Sequence, residues 1–194
     1  HREAEVLRNL SDGGLPSVYN FLSSPQQVVL VLEWVPGTNL KQYLLQNTTT
    51  EPVRILRWSL EVLRILAYLH RQKPYPILMG DLKPSNIIVT YDEKIKIIDF
   101  GVAQPYGAVN DNPHKIALIS PGFSPPEQAT KGGLQPQSDL YSFGATLLWC
   151  LTGFDASRSL QGMTALQEKL GLPSLPLVRL LRQCLALHPQ ERPP

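Results

Sequence analysis

MGDLKPSNIIVTYDEKIKIIDFG, residues 79–101, sets three polar side chains, Asp81, Asn86 and Asp99, among apolar neighbours. Ile87-Ile88-Val89 and Ile95 to Ile98 are short runs rich in β-branched residues, and Tyr91-Asp92-Glu93 lies between them as a turn. The pattern predicts a β-hairpin. A hairpin folds back on itself, so Asn86, just before its first strand, comes to lie beside Asp99, just after its second. A carboxylate and an amide oxygen brought together in this way could share a divalent cation. Mg²⁺ suits such hard oxygen donors and completes its shell with waters and substrate phosphates. Asp81, five residues before Asn86, stays near enough to take a proton from a hydroxyl.

The chain has 194 residues, enough for one sizeable domain. Hydrophobic residues make up 43% and charged residues 18%, a globular rather than a disordered composition. The net charge of +2 is too small to argue for nucleic acid or an anionic membrane surface. Cys150 and Cys184 stand far apart in apolar contexts without ligand or redox spacing, so both are expected as buried free thiols in a reducing compartment. No apolar run of about eighteen residues is present to span a membrane, and a cytoplasmic location is expected. His1-Arg2-Glu3 is not a signal peptide, and the chain is expected to begin inside a longer polypeptide.

Helical periodicity appears over 2–10, over 52–71 with Leu56, Leu60, Leu63 and Ala67 on one face and Ile55, Val62 and Leu69 widening it, and over 135–153, the most apolar of all. Thr50 and Ser138 are the expected caps of the last two, and Gly153 the terminator. Shorter helices are expected over 40–45, 160–170 and 175–187. Strands are expected over 18–21 and 28–34.

The spacing Asp81-x-Lys83-Pro84-x-Asn86 followed by Asp99-Phe100-Gly101 resembles the catalytic and metal loops of protein kinases. With Ser120-Pro121-Gly122-Phe123-Ser124-Pro125-Pro126-Glu127 and Asp139-Leu140-Tyr141-Ser142-Phe143-Gly144, the chain is similar to the eukaryotic-like Ser/Thr protein kinases of bacterial type. The resemblance implies an α+β kinase fold, with residues 1–35 a partial small lobe and 36–194 the mainly helical large lobe. It implies ATP and Mg²⁺ (or Mn²⁺) as cofactors and a protein Ser/Thr hydroxyl as acceptor, with no nucleic acid partner and no membrane segment in this chain. Asp81 would be the catalytic base, Lys83 the partner of the transferring phosphate, and Asn86 and Asp99 the metal ligands. Leu32, Glu33, Val35, Asn39, Ile88 and Ile98 would line the nucleotide pocket: Leu32 behind the adenine, the backbone of Glu33 and Val35 against its edge, Asn39 toward the ribose and Ile88 as its floor. Glu3 would be the helix glutamate that pairs with the ATP-binding lysine. Ser120 would meet Asp81 and Lys83 in the substrate loop. Glu127 would pair with Arg192, and Asp139 would brace the catalytic loop.

The sequence departs from the family pattern in two ways. Met79-Gly80 replaces His-Arg ahead of the aspartate, which removes the arginine that grips a phosphorylated activation loop. The only hydroxyls between Gly101 and Glu127 are Tyr106, Ser120 and Ser124, so transfer is expected without phosphorylation of that loop. The Gly-rich loop and its strand-borne lysine are expected upstream of His1 and a last helix beyond Arg192, so that the chain alone would be weakly active. Two other readings are open. A pseudokinase-type binding or scaffold module fits Met79-Gly80. A small-molecule phosphotransferase of aminoglycoside-kinase type fits Gly80-Asp81, against Lys83, Pro125-Pro126-Glu127 and Arg192.

Overall fold

The computed structural model describes residues 10–24, 28–107, 119–129, 133–171 and 175–194. The expected helix over 2–10, Glu3 included, lies outside them except for Leu10. Strands β1 (Val18–Ser23) and β2 (Val28–Leu32) form an antiparallel pair with an irregularity between Val18 and Asn20. Strand β3 (Gly37–Asn39) leads into helix α1 (Leu40–Gln46), and α2 (Pro52–His70) follows.

Helix α2 is the pillar of the core. Ile55, Trp58, Val62, Ile65, Leu66 and Leu69 recur at spacings of three and four and are all buried. Full burial of side chains of this size contributes about 1.5–3 kcal/mol each. The stripe differs from the expected one, because the helix carries apolar residues on two faces. Leu60 faces solvent at 67% exposure, while Trp58 is buried and packs edge-on to Tyr43 at 5.2 Å. Thr50 is not its cap. Its hydroxyl donates to the Asn47 carbonyl at 2.6 Å, and Glu51 takes the cap position ahead of Pro52.

Strand β4 (Ile77–Leu78) precedes the hairpin of β5 (Ile87–Thr90) and β6 (Ile95–Ile97), and β7 (Gln104–Pro105) returns to pair with β4. In the hairpin Ile87 faces Ile97 and Val89 faces Ile95, and these four are buried against the core. The turn is closed by the Thr90 hydroxyl, which donates to Asp92 at 2.7 Å and accepts from the Lys94 amide at 3.0 Å. Arg54 of α2 pairs with Glu93 in that turn, and Glu61 accepts the Ile95 amide at 3.0 Å. β3 pairs with β5 on its other side, so that Asn39, Ile88 and Lys96 form one row across the sheet.

Helix α3 (Pro136–Thr152) is buried on almost every side and packs against α2, α4 (Ser159–Leu170) and α5 (Leu175–Cys184). A helix apolar all round belongs in a core. Gly144 permits the close approach to α5, since a Cβ there would lie 2.7 Å from that of Cys184. Cys150 and Cys184 are free and buried. Burial raises both thiol pKa values, that of Cys184 to about 11, so neither is an available thiolate. No described helix is long and apolar enough to cross a membrane.

Candidate active site

Three groups converge although the first and last stand 39 residues apart in the chain. The Ser120 hydroxyl donates to Asp81 Oδ1 at 2.6 Å, Lys83 Nζ donates to Asp81 Oδ2 at 2.6 Å, and Lys83 Nζ also reaches Ser120 Oγ at 2.9 Å. Local turns make this possible. A 3₁₀ turn over Pro84–Asn86 curls the chain so that Asn86 Nδ2 donates to the Asp81 carbonyl at 3.0 Å. Ser120 is held by its own turn, its amide donating to Ser124 Oγ at 2.9 Å and its carbonyl accepting from the Phe123 and Ser124 amides. Ser124, read only as a loop hydroxyl in the sequence, is therefore a support for Ser120.

Behind this cluster, Asp139 is fully buried in the first turn of α3 and accepts the amides of Met79 and Gly80, each at 2.9 Å. His70, the last residue of α2, meets the same carboxylate at 2.8 Å. Local sequence carries no sign of His70, because its partner lies 69 positions away. Gly80 has φ +74, a left-handed conformation that costs other residues about 1–2 kcal/mol. Its carbonyl accepts Gln128 Nε2 at 3.0 Å. The cap of α3 is Gln135 rather than Ser138: the Gln135 side chain takes the Ser138 amide, and Ser138 Oγ accepts the Gln135 amide at 3.0 Å in return.

Ser138 Oγ also donates to Glu127 at 2.8 Å, and Arg192 grips Glu127 through two bonds of 2.6 and 2.9 Å. Arg192 is buried and gives its remaining donors to the carbonyls of Ala186, Gln137 and Leu187. Burial works to raise the Glu127 pKa, but the bonds from Arg192, the backbone and Ser138 outweigh it and hold the carboxyl below its ordinary range.

At the far end of the hairpin, the Ile98 amide donates to the Asn86 carbonyl at 2.8 Å, which brings the neighbourhoods of Asn86 and Asp99 together. Asp99 has φ +69 and is exposed, with one bond to its carboxylate from the Gly101 amide at 3.2 Å. Phe100 beside it is fully buried and anchors the turn. Because Asn86 Nδ2 is committed to Asp81, its Oδ1, which accepts a long 3.4 Å bond from the Ser85 hydroxyl, is the atom that can still take a cation. Among the described residues no three His, Cys, Asp or Glu side chains converge on a metal site. Two oxygen donors, Asn86 and Asp99, fit Mg²⁺, which is usually held by one or two protein groups with waters and phosphate oxygens.

Leu32 ends β2, and Glu33 to Pro36 then run as coil into β3. Among the described residues no backbone bond engages the Glu33 carbonyl or either group of Val35. Ile88 lies centrally in the row Asn39–Ile88–Lys96, and Ile98 is half-buried. The Asn39 side chain is partly committed elsewhere, since its Oδ1 caps α1 by accepting the Gln42 amide at 2.9 Å. That leaves its Nδ2 as the atom able to meet a ribose.

The sequence matches the protein kinase domain family over residues 1–194. It is 32% identical over 204 residues to Serine/threonine-protein kinase C of Synechocystis, covering 99% of this chain and 37% of that protein. It is also 32% identical to Serine/threonine-protein kinase PknA of Nostoc, covering 98% of this chain and 35% of that protein. Serine/threonine-protein kinase PrkC of Bacillus subtilis is 30% identical over 78% of this chain and 23% of its own length. The chain thus spans about a third of the length of the first two relatives and less of the third. From the Asp81–Lys83–Ser120 cluster, the Asp99-Phe100-Gly101 turn and this match along its whole length, the chain belongs to the protein kinase domain family, on its eukaryotic-like Ser/Thr side.

Proposed function

We propose that this chain is the catalytic part of a protein Ser/Thr kinase, dividing into a partial small lobe at 1–35 and a large lobe at 36–194. The observation that carries the reading is the Asp81–Lys83–Ser120 cluster. Phosphoryl transfer asks a protein for positioning and for relief of developing negative charge rather than covalent chemistry. Asp81 orients the acceptor hydroxyl and takes its proton, a role typically worth about 10²–10⁴-fold. Lys83 places its ammonium where charge builds on the transferred group. Ser120 holds both side chains in register for a Ser or Thr acceptor.

Members of the family use ATP. Bound Mg²⁺–ATP supplies the phosphoryl group and a cation that offsets its charge. Asn86 Oδ1 and Asp99 would hold that cation, and the Glu33 carbonyl and the backbone groups of Val35 would hold the base, with Leu32, Ile88 and Ile98 around it. Asn39 Nδ2 is left for the ribose. Glu3 keeps its proposed role in pairing with an ATP-binding lysine.

The test is phosphate transfer from labelled ATP to casein by the full-length protein that carries this chain. Asp81→Asn and Asp99→Asn should each lower transfer by at least about a hundredfold. Asp81→Asn should leave ATP affinity nearly unchanged, whereas Asp99→Asn should weaken it in Mg²⁺. Either variant retaining full transfer would remove the assignment. A protein that binds Mg²⁺–ATP but transfers nothing would favour the scaffold reading.

A further inference from the structure

The coil over 33–36, a hinge between β2 and β3, joins two sheets that share no strand. On one side, the Glu33 amide donates to the Ser17 carbonyl at 2.8 Å, continuing the ladder of β1 and β2. On the other side the connection is a side chain. Lys96 of β6 reaches out of the three-stranded sheet to Glu33 Oε1 at 2.6 Å and to the Leu15 carbonyl at 3.2 Å. Glu33 Oε2 in turn accepts the Ser17 amide at 3.0 Å. Both charged side chains are more than three-quarters covered, at 17% and 24% exposure, so the pair is only partly screened by solvent. The Lys96 hydrogen bond, followed by that of the Ser17 amide, holds the Glu33 carboxyl below its ordinary pKa, so Glu33 meets Lys96 as a carboxylate at neutral pH.

We infer that Lys96 is a positioning residue for the nucleotide base, acting through Glu33 to fix the hinge backbone. This rests on the proposed kinase reading, in which the Glu33 carbonyl and the two Val35 groups meet the adenine edge. Lys96 stands directly across the ladder from Ile88, the proposed floor of the base, and three residues before Asp99. One side chain therefore ties the edge contacts of the base to the sheet that carries its floor and to the strand that delivers Asp99. A hydrogen-bond donor and acceptor pair discriminates bases only if the backbone presenting it stays in register. Losing the tether should therefore cost base selectivity before it costs phosphate binding. The fold itself keeps an independent link at this place, the Ile97 amide to the Gly14 carbonyl at 2.8 Å, so removal of the ammonium leaves the elements in contact.

The experiment measures Mg²⁺–ATP and Mg²⁺–GTP affinities by titration calorimetry in the full-length protein, for wild type, Lys96→Met and the double variant Lys96→Met/Glu33→Gln. Lys96→Met should weaken ATP about tenfold, as expected for a lost charge-assisted hydrogen bond, and weaken GTP much less. The ATP-to-GTP preference should fall accordingly. The double variant should lose little more than the single one, because the two side chains act as one unit. An unchanged ATP affinity in Lys96→Met would overturn the inference and leave the kinase reading intact. Equal losses for ATP and GTP would also overturn it, since general loosening of the fold treats both alike. A wild-type protein that binds neither nucleotide would overturn the kinase reading and this inference together.

Discussion

The two ends of the hairpin are built differently. At its entry, residues 79–86 are held from every side: Asp139 takes two backbone amides, Gln128 takes the Gly80 carbonyl, Asn86 takes the Asp81 carbonyl, and Lys83 and Ser120 take the Asp81 carboxylate. At its exit, Asp99 is exposed and takes one bond of 3.2 Å from the Gly101 amide two residues on. Both ends carry an aspartate essential to the proposed chemistry. The entry aspartate must be in place before substrate arrives, because a base acts through its orientation. The exit aspartate must keep its oxygens available, because its partner is brought in with the nucleotide. Preorganisation and availability are thus divided between two loops joined by seven residues of sheet (87–90 and 95–97).

The sharpest way to break this division is to remove the brace. Asp139→Ala leaves the Met79 and Gly80 amides buried without acceptors, at about 1–3 kcal/mol each. His70 loses its partner at the same time. The expected loss is about 4 kcal/mol of unfolding free energy from the two amides and His70 together, read by urea denaturation. Transfer should fall severely, while ATP affinity in the surviving folded protein falls far less, since the exit loop is not touched. A drop in ATP affinity as large as the drop in turnover would mean that the two ends are one unit.

A second variant tests support from outside the hairpin. Glu127→Ala strips Arg192 of its carboxylate but leaves it three backbone carbonyls. Breaking one side of a buried pair costs about 3–5 kcal/mol, and the remaining carbonyls place the expected loss at about 3 kcal/mol. Because the folded pKa of Glu127 lies below the unfolded value of 4.5, its contribution is fully present above that pH and is lost as pH falls through the folded value. Wild type and variant should therefore approach one another in stability on acidification below about pH 4.5. A stability difference that persists unchanged to about pH 2 would show that the carboxylate charge is not what joins Glu127 to Arg192.

The third variant probes the conformation of the entry loop itself. Gly80→Ala forces a Cβ into the left-handed region, which costs about 1–2 kcal/mol. The new methyl would lie 3.1 Å from Leu134 Cδ1 and 3.2 Å from Val102 Cγ1, two side chains able to shift. A stability loss of about 2 kcal/mol with reduced turnover is expected. With glycine at this position the loop has no side chain here to receive a phosphate. Phosphatase treatment of the wild-type protein is accordingly expected to leave transfer unchanged.

What the sequence disclosed and what it hid follow from range. The hairpin was legible because its apolar runs and its turn are contiguous, and the buried α3 because its apolarity is continuous. The Asp81–Lys83–Ser120 cluster came from the family resemblance, since no local pattern joins positions 37 or 39 apart. His70 against Asp139 escaped for the same reason. The strands β3, β4 and β7 are two or three residues long and too short to express a period. On α2, apolar residues on both faces left the choice of stripe to packing, which buried Trp58 and exposed Leu60. Thr50, expected as a cap, bonds backward to Asn47, and Asn39, expected toward the ribose, caps α1 through its Oδ1 with Nδ2 left over. Polar side chains with several nearby backbone partners are decided by geometry that composition does not encode.

The smallest expected effect separates holding Asp81 from tuning it. Ser120→Ala removes the 2.6 Å bond to Asp81 Oδ1, yet Lys83 still holds Oδ2 at 2.6 Å and Asn86 Nδ2 still lies 3.3 Å from the same oxygen. The carboxylate keeps its place and loses one of its orienting donors. A neutral hydrogen bond to a charged group contributes about 1.5–3 kcal/mol when nothing replaces it, but here water can enter beside a half-buried hydroxyl. The net loss should be about 1 kcal/mol, or roughly five- to tenfold in turnover, with stability and ATP affinity unchanged. Ser120→Thr keeps the hydroxyl and should behave as wild type. If Ser120→Ala instead abolished transfer as Asp81→Asn does, Lys83 would be insufficient to set the base, and the entry loop would depend on the substrate-side segment for its order.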